Sequence, residues 1–133
     1  MKKIIIAVLA VALCISAVCG ANWLFGNPGG VEIDYNDCTV YSKEDVDSAA
    51  QVVIEKMDSM KGCVLYSLKY RNADKREYCR SINQEADCIV FDSVFRSPLI
   101  SYGAWIGNSI YTWHWYLERA EGGNWELLGW GYA

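Results

Sequence analysis

The chain has 133 residues, 53% of them apolar and 21% charged, which is typical of one globular domain and not of a disordered chain. Its formal net charge is −4, from 12 basic and 16 acidic residues. No run of Lys or Arg follows Lys3, and phosphate binding needs clustered positive charge, so we do not expect nucleic acid as a partner.

Residues 1–25 have the pattern of an export segment. Lys2 and Lys3 precede an unbroken apolar run from Ile4 to Val18. Positive charge stays on the cytoplasmic side of a membrane, so whatever follows is expected outside the cytoplasm. We expect residues 1–25 to be a signal peptide or an uncleaved N-terminal membrane anchor, residues 26–30 to be a linker and residues 31–133 to form one domain.

Three fates of the export segment stay open. Cleavage after Ala21 would leave small residues, Cys19 and Ala21, where signal peptidase needs them. Lipidation at Cys19 fits less well, because Val18 stands where that signal prefers Gly or Ala. An uncleaved anchor from Ile4 to Phe25 has about the 20 residues that span a bilayer. Each fate leaves the domain extracytoplasmic, either membrane-anchored or secreted.

The domain contains four cysteines, at Cys38, Cys63, Cys79 and Cys88. An even number of cysteines outside the cytoplasm suggests disulfides, but the pairing stays open. A disulfide between Cys79 and Cys88 would close a short loop. One between Cys63 and Cys88 would need the two strands that carry them to be neighbours in the sheet. The alternative is four small buried thiols. The chain has no CxxC motif and only one histidine, so the spacing of zinc ligands is missing and no metal or other cofactor is expected.

The first elements of the domain are an arm and a helix. Residues 31–42 alternate apolar and polar side chains, which indicates a short leading strand or an extended arm. Ser42 is a good N-cap, and Asp45 three residues later completes a capping-box pattern. Apolar residues then recur at helical spacing until Gly62, which predicts one long amphipathic helix.

Strands follow the helix. Residues 63–71 alternate, with Val64, Tyr66, Leu68 and Tyr70 predicted on one side. Residues 72–87 are polar and predict a short helix or an ordered loop. Residues 87–97 predict the next strand, with three aromatic or branched side chains on one side, and residues 99–109 predict a loop that carries Trp105. In the strand at residues 87–97, the three side chains predicted on one side are Ile89, Phe91 and Phe95.

The last 23 residues predict a hairpin with Gly122 and Gly123 at its tip. In that register Trp113 faces Tyr132, Trp115 faces Trp130, Leu117 faces Leu128 and Arg119 faces Glu126. The other side pairs His114 with Gly131, Tyr116 with Gly129 and Glu118 with Leu127. The order of elements predicts an α+β domain, in which one long helix packs on a curved antiparallel sheet of about four strands.

The tryptophans of this hairpin have two explanations. One side of the hairpin is apolar up to its tip, which favours a core face; the alternative is an exposed platform for a sugar or a peptide. On the other side, His114 and Tyr116 lie beside glycines that leave room above the sheet. A general base would need an orienting carboxylate, and Asp92 on another strand is a candidate if the strands are adjacent. No nucleophile or phosphate-binding motif accompanies His114, so no catalytic residue is assigned.

The segments FRSPLISYGAW and YTWHWYLERAEGGNWELLGWGYA, together with the EIDY arm, resemble small exported bacterial proteins that carry domain of unknown function 4829. The likeness runs from about Val31 to Tyr132, and the hairpin is its most specific part. The resemblance implies an NTF2-like (cystatin-like) cone, whose sheet curls around the long helix. It implies no activity, because NTF2-like proteins include both enzymes and binding modules.

We therefore expect an extracytoplasmic domain that acts as a non-catalytic ligand- or protein-binding module at the cell envelope, with His114, Tyr116 and Trp105 as ligand contacts. The membrane would be a partner through the N-terminal segment. A small NTF2-like hydrolase or isomerase using His114 is one alternative. A structural module that forms a homodimer through its sheet face is another.

Overall fold

The computed structural model describes residues 1–24, 30–71, 87–100 and 105–132, apart from the side chains of residues 2 and 17–24. Three predicted features lie outside the described residues: most of the polar segment at residues 72–87, Cys79 within it, and most of the linker at residues 26–30. The described elements are two helices and five strands: α1 (Lys2–Leu24), β1 (Glu32–Asp34), α2 (Lys43–Asp58), β2 (Val64–Tyr70), β3 (Asp87–Arg96), β4 (Ile110–Arg119) and β5 (Glu126–Tyr132).

The N-terminal helix α1 covers nearly the whole export segment. Its large apolar side chains from Ile4 to Ile15 are exposed, each by more than half of its surface. Across the part of the chain that the structure describes, no helix meets the length and apolar content required to cross a bilayer.

The second helix, α2, begins where its N-cap predicts. The Ser42 hydroxyl oxygen accepts a hydrogen bond from the Asp45 backbone N–H at 3.1 Å, which satisfies one of the unpaired donors of the first turn. The helix ends at Asp58, four residues before Gly62, which has a φ of +82°. A Cβ on Gly62 would lie 3.0 Å from the Pro98 side chain, so this glycine permits a close approach of the two segments. The buried stripe of α2 consists of Val46, Ala49, Ala50, Val53 and Met57.

The strands form one mixed sheet in the order β1-β2-β3-β4-β5. Strands β2 to β5 are antiparallel neighbours, and the α+β class is confirmed, but the sheet as a whole is mixed and not antiparallel throughout as predicted. The leading arm adds a fifth strand, because β1 pairs in parallel with β2 through residues Glu32 to Asp34. Parallel neighbours need a crossover of a dozen or more residues, and α2 supplies it.

The predicted face of β2 is wrong over its first half. The register with β3 shifts between Leu65 and Ser67, which is a β-bulge. Because of the bulge, Leu65 points into the core together with Leu68 and Tyr70, and Tyr66 does not. The Tyr66 hydroxyl instead accepts a hydrogen bond from Arg96 Nε at 3.2 Å.

The predicted register of the last hairpin is correct for its outer half and wrong near its tip. Trp113 pairs with Tyr132, His114 with Gly131, Trp115 with Trp130 and Tyr116 with Gly129, as expected. The register then shifts between Tyr116 and Leu117, so that Leu117 pairs with Leu127 and Glu118 with Glu126. Leu128 is the extra residue, and it packs on the opposite side of the sheet against Cys88 and Val90.

The sheet thus has two different faces. The core face packs on α2 and carries the largest fully buried side chains of the strands, including the predicted set from β3. The outer face carries the alternate positions, which are more polar. The core face includes Leu68, Ile89, Phe91, Phe95, Trp113, Trp115 and Leu117. The outer face includes Cys88, Val90, Asp92, Val94, His114 and Tyr116.

Candidate functional site

One end of the core face is closed by the tip of the hairpin. Trp125, which follows the glycine turn, is only 6% exposed and meets the Tyr41 ring edge to face at 5.6 Å. The Tyr41 hydroxyl accepts from the Cys88 N–H and donates to the Cys88 carbonyl, both at 2.9 Å, and so anchors the start of β3. We name this region, around Tyr41, Arg119 and Trp125, the closed end.

Arg119 ties the elements of the closed end together. Its guanidinium donates to Asp45 Oδ1 at 2.6 Å and to Asp87 Oδ2 at 3.0 Å, and it lies 4.4 Å from the Trp125 ring centroid. The predicted pairing of Arg119 with Glu126 is wrong, because the bulge moves Glu126 opposite Glu118. Hydrogen bonding from Arg119 lowers the pKa of the Asp45 carboxyl, and the bond to Asp45 raises the pKa of Arg119.

The opposite end of the core face is open and contains a cavity of about 440 Å³. This cavity lies beyond the C-terminal end of α2, between the residues that follow the helix and the outer half of the β4–β5 hairpin. Its volume is within the range of small-molecule sites, about 300–1,000 Å³. We name this region the open end. Its described lining residues are Ser59, Met60, Lys61, Cys63, Pro98, Trp105, Trp113 and Trp130.

Aromatic rings pack together around the open end. Trp105 lies 5.2 Å from the Trp113 ring and 5.6 Å from the Phe95 ring, centroid to centroid. Trp113 is 8% exposed, whereas Trp130 is 42% exposed and stacks on the buried Trp115 at 5.8 Å. The cavity therefore has a fixed aromatic wall on one side and an accessible indole on the other.

Polar groups at the open end include two lysines and a cysteine thiol. Lys61 lines the cavity, and Lys56 Nζ lies 4.8 Å from the Trp130 ring centroid. Burial raises the pKa of the Cys63 thiol, which keeps it neutral. The Trp113 Nε1–H is buried and has no hydrogen-bond partner among the described residues. An unpaired buried donor costs about 1–3 kcal/mol.

The outer face carries a charged cluster around Asp92. Asp92 and His114 are directly opposite each other on β3 and β4, and His114 Nδ1 contacts Asp92 Oδ1. Arg71, just after β2, donates to the other carboxylate oxygen of Asp92 at 2.9 Å. The carboxylate therefore orients the imidazole and is itself held by a guanidinium, which is the arrangement that a general base requires.

The imidazole of this cluster is nearly closed off. His114 is only 9% exposed, and it makes a further interaction besides that with Asp92. A second cavity of about 440 Å³ lies on this face, with Asp92 among its described lining residues and His114 not among them. Its other described lining residues are Glu32, Asp34, Ser67, Lys69, Ser93, Val94 and Thr112. The described residues contain no group of three side chains suited to a metal ion.

The structure divides the three predicted ligand contacts between the two faces. His114 and Tyr116 are on the outer face, with ring centroids 6.3 Å apart, and Tyr116 packs against a small apolar cluster of Cys88 and Val90. Trp105 is on the core face at the open end. The three residues therefore do not form one site.

Sequence reasoning missed the residues that enclose the open end. No sequence pattern links Met60, Cys63 and Pro98, because one follows the helix, one precedes a strand and one lies in a loop. The alternation of the hairpin placed Trp113 and Trp130 on the core face, but it cannot show where α2 stops covering that face. Arg71 was missed because its partner Asp92 is 21 positions away on another strand.

Among the cysteines considered for disulfides, Cys38 and Cys63 are free thiols and Cys88 is disulfide-bonded. The pairing of Cys63 with Cys88 is thus absent from the structure.

Comparison of the chain with protein-family models, with curated proteins and with solved structures finds no match.

Proposed function

We propose that this chain is a non-catalytic binding module that holds a small apolar ligand at the open end, outside the cytoplasmic membrane. The observation that carries the proposal is the cavity of about 440 Å³ with three tryptophans in its wall. Ligand sites are typically concave and apolar, with a few polar groups that fix orientation. The open end has this character, whereas the same core face is filled with side chains at the closed end.

The proposed location rests on the N-terminal segment. Lys2 and Lys3 precede an apolar stretch, and the described apolar side chains of α1 are exposed. We propose that this segment directs or anchors the domain to the envelope. We further propose that the domain is an NTF2-like (cystatin-like) cone related to domain of unknown function 4829; the α2-covered sheet with two bulges supports this, because bulges bend strands.

A binding screen tests the proposal. Full-length chain in phospholipid nanodiscs, with empty nanodiscs as a blank, is screened by saturation-transfer NMR against small aromatic and aliphatic compounds. We expect saturable binding that Trp130→Ala weakens at least tenfold. Asp92→Asn, on the outer face, is the matched control and should leave binding unchanged. Absence of binding by every compound, or binding that survives Trp130→Ala, contradicts the proposal.

A second candidate function is a small hydrolase or isomerase that uses His114. The contact between His114 and Asp92, with Arg71 behind it, supports this candidate. The 9% exposure of His114 counts against it, because a general base must reach its substrate directly or through one water. Turnover that disappears in His114→Gln while the fold is retained would favour this enzyme over the binding module.

A further inference from the structure

We propose that the open end of the domain docks on the surface of a phospholipid membrane, with exposed isoleucines and a tyrosine inserted among the lipid headgroups. This inference goes beyond ligand binding and rests on the proposed location of the domain, because it says which end of the domain faces the membrane. It follows from the position of the exposed apolar side chains, from the balance of charge around them and from the end at which the chain enters the domain.

Exposed apolar side chains are concentrated at the open end. Between residues 30 and 132, the described part of the chain exposes six large apolar side chains, and five of them lie at this end. Single exposed apolar residues are normal, whereas a group of them marks a site of contact with a protein or a membrane. The five are Ile100, Ile106, Ile110, Trp130 and Tyr132, and we name them the apolar patch. The sixth, Val40, precedes α2 at the closed end.

Hydrogen bonds and ring contacts bring the loop before β4 and the end of β5 together. The Asn108 N–H donates to the Pro98 carbonyl at 2.7 Å, which joins the two ends of the loop. The Ile106 N–H donates to the Tyr111 hydroxyl at 3.0 Å, and the Tyr111 ring centroid lies 6.3 Å from that of Tyr132. The exposed side chains of the loop and of β5 therefore belong to one surface.

The charges around the apolar patch balance. No Lys, Arg, Asp or Glu stands between Arg96 and Glu118, so the loop before β4 is uncharged. Glu32 at the start of β1 and Arg96 at the end of β3 contribute one charge of each sign. The end of α2 and the turn after it contribute two acidic and two basic side chains: Glu55, Asp58, Lys56 and Lys61. We therefore expect apolar insertion, and not attraction to anionic lipid, to hold the domain on the membrane.

The chain enters the domain at the same end as the apolar patch. Strand β2 begins at Val64, which pairs with Arg96 beside the loop before β4, and it runs toward the closed end. Strand β1 is parallel to β2, so the residues before Glu32 lie on the side of the open end. The open end is therefore the end to which the N-terminal segment is attached.

The connection to that segment is short. Leu24, at the end of α1, and Glu32 are eight positions apart, so the connection spans at most about 29 Å. From Ile4 to Ile15, α1 is apolar on every side and its side chains are exposed, and such a helix is normally covered by protein or lipid. If lipid covers α1, the short connection keeps the open end beside the membrane. Tyr and Trp, which the apolar patch contains, are enriched at membrane–water interfaces.

A paramagnetic lipid tests the docking. Full-length ¹⁵N-labelled chain is placed in phosphatidylcholine nanodiscs, one chain to a disc, with and without a lipid that carries a nitroxide. We expect the nitroxide to reduce the amide peaks of Ile106 and Ile110 roughly twofold or more and to leave that of Val40 nearly unchanged. Added salt or anionic phosphatidylglycerol should not alter this pattern, because the charges around the patch balance. A pattern that appears only with anionic lipid would overturn the proposed apolar insertion.

Matched variants distinguish docking from mere attachment. Ile106→Asp combined with Ile110→Asp should restore most of the intensity of the loop amides, because charged side chains oppose insertion. Val40→Asp is the control, since Val40 is also exposed, by 54%, but lies at the closed end. All three sites are exposed, and the rest of the amide spectrum checks that the fold is retained.

The outcomes separate this inference from the proposals on which it rests. Equal intensities in the native chain and both variants would mean that the domain is attached but not docked, and would overturn the inference. Peak loss that requires two chains in one disc would identify a second copy as the occupant and would also overturn it. Either result leaves ligand binding at the open end to its own screen. Amides of α1 that the nitroxide does not affect would contradict the proposed location as well.

Discussion

The closed end and the open end share one helix, one hairpin and one aromatic face. They differ in whether side chains cover that face or leave a cavity beside it. At the closed end, Trp125 covers the core, and Arg119 joins α2, β3 and the hairpin through two carboxylates. At the open end α2 stops at Asp58, and the face beyond it borders a cavity. The same kind of residue is therefore core at one end and the wall of a cavity at the other, depending on where the helix ends.

Removal of Trp115 should have the largest effect on stability. Trp115 is fully buried, so Trp115→Ala leaves a large cavity and should cost about 3–5 kcal/mol in the free energy of unfolding. Trp130→Ala removes a ring that is already 42% exposed and should cost less than half as much. Urea denaturation of both variants measures the difference. Equal losses would mean that Trp130 is core and not part of an accessible wall.

Ser93→Ala should have an intermediate effect. The Trp115 Nε1–H donates to the Ser93 hydroxyl at 2.8 Å, and both residues are fully buried. Without the hydroxyl the indole N–H is left unpaired, which should cost about 1–3 kcal/mol by the same urea measurement. Ser109→Ala, at a less buried serine, is a comparison for the loss of a hydroxyl. A neutral Ser93→Ala would show that an unpaired indole N–H carries little cost in this core.

The closed end should have a smaller, pH-dependent contribution from Arg119 and Asp45. The pKa of Asp45 in the folded protein is below its ordinary 3.8, so protonation is disfavoured by folding. The resulting stabilisation is fully present above pH 3.8 and is lost as the pH falls through the lower, folded-state pKa. The stability difference between the native chain and Arg119→Met should therefore be present at neutral pH and shrink in acid.

Denaturation curves of both chains over the acid range measure this. Asp45→Asn is the control, since it removes the titrating group and keeps the guanidinium. A difference between native chain and Arg119→Met that stays constant down to the lowest pH would contradict the assignment of this contribution to Asp45.

Sequence patterns predicted the elements that local chemistry determines. The Ser42 cap, the start of α2, the apolar face of β3 and the outer half of the hairpin follow from capping and from alternation, and the structure has them. The two bulges were not predictable, because alternation assumes a constant register and a bulge inserts one extra residue into one strand of a pair.

The candidate site was harder to predict for the same kind of reason. Trp105 was selected for its loop, and it does line the cavity, whereas His114 and Tyr116 were selected for their glycine neighbours and lie on the outer face. A cavity depends on where one element ends relative to another. Residue types such as Met60 and Pro98 do not by themselves indicate that they line one. The sequence identified Asp92 as a possible partner of His114. Whether the two meet depends on β3 and β4 being neighbours in the sheet, which the sequence pattern does not show.

The central claim is that the open end, and not the rest of the aromatic face, takes a ligand. The most direct measurement is the ¹H–¹⁵N spectrum of the indole groups of the full-length chain during titration with a small aromatic compound from the binding screen, with peaks assigned by single Trp→Phe variants. The account predicts saturable shifts of the Trp113 and Trp130 peaks, while those of Trp125 and Trp115 stay in place. Shifts that are as large at Trp125 as at Trp113, or no saturable shift at any indole, would contradict it.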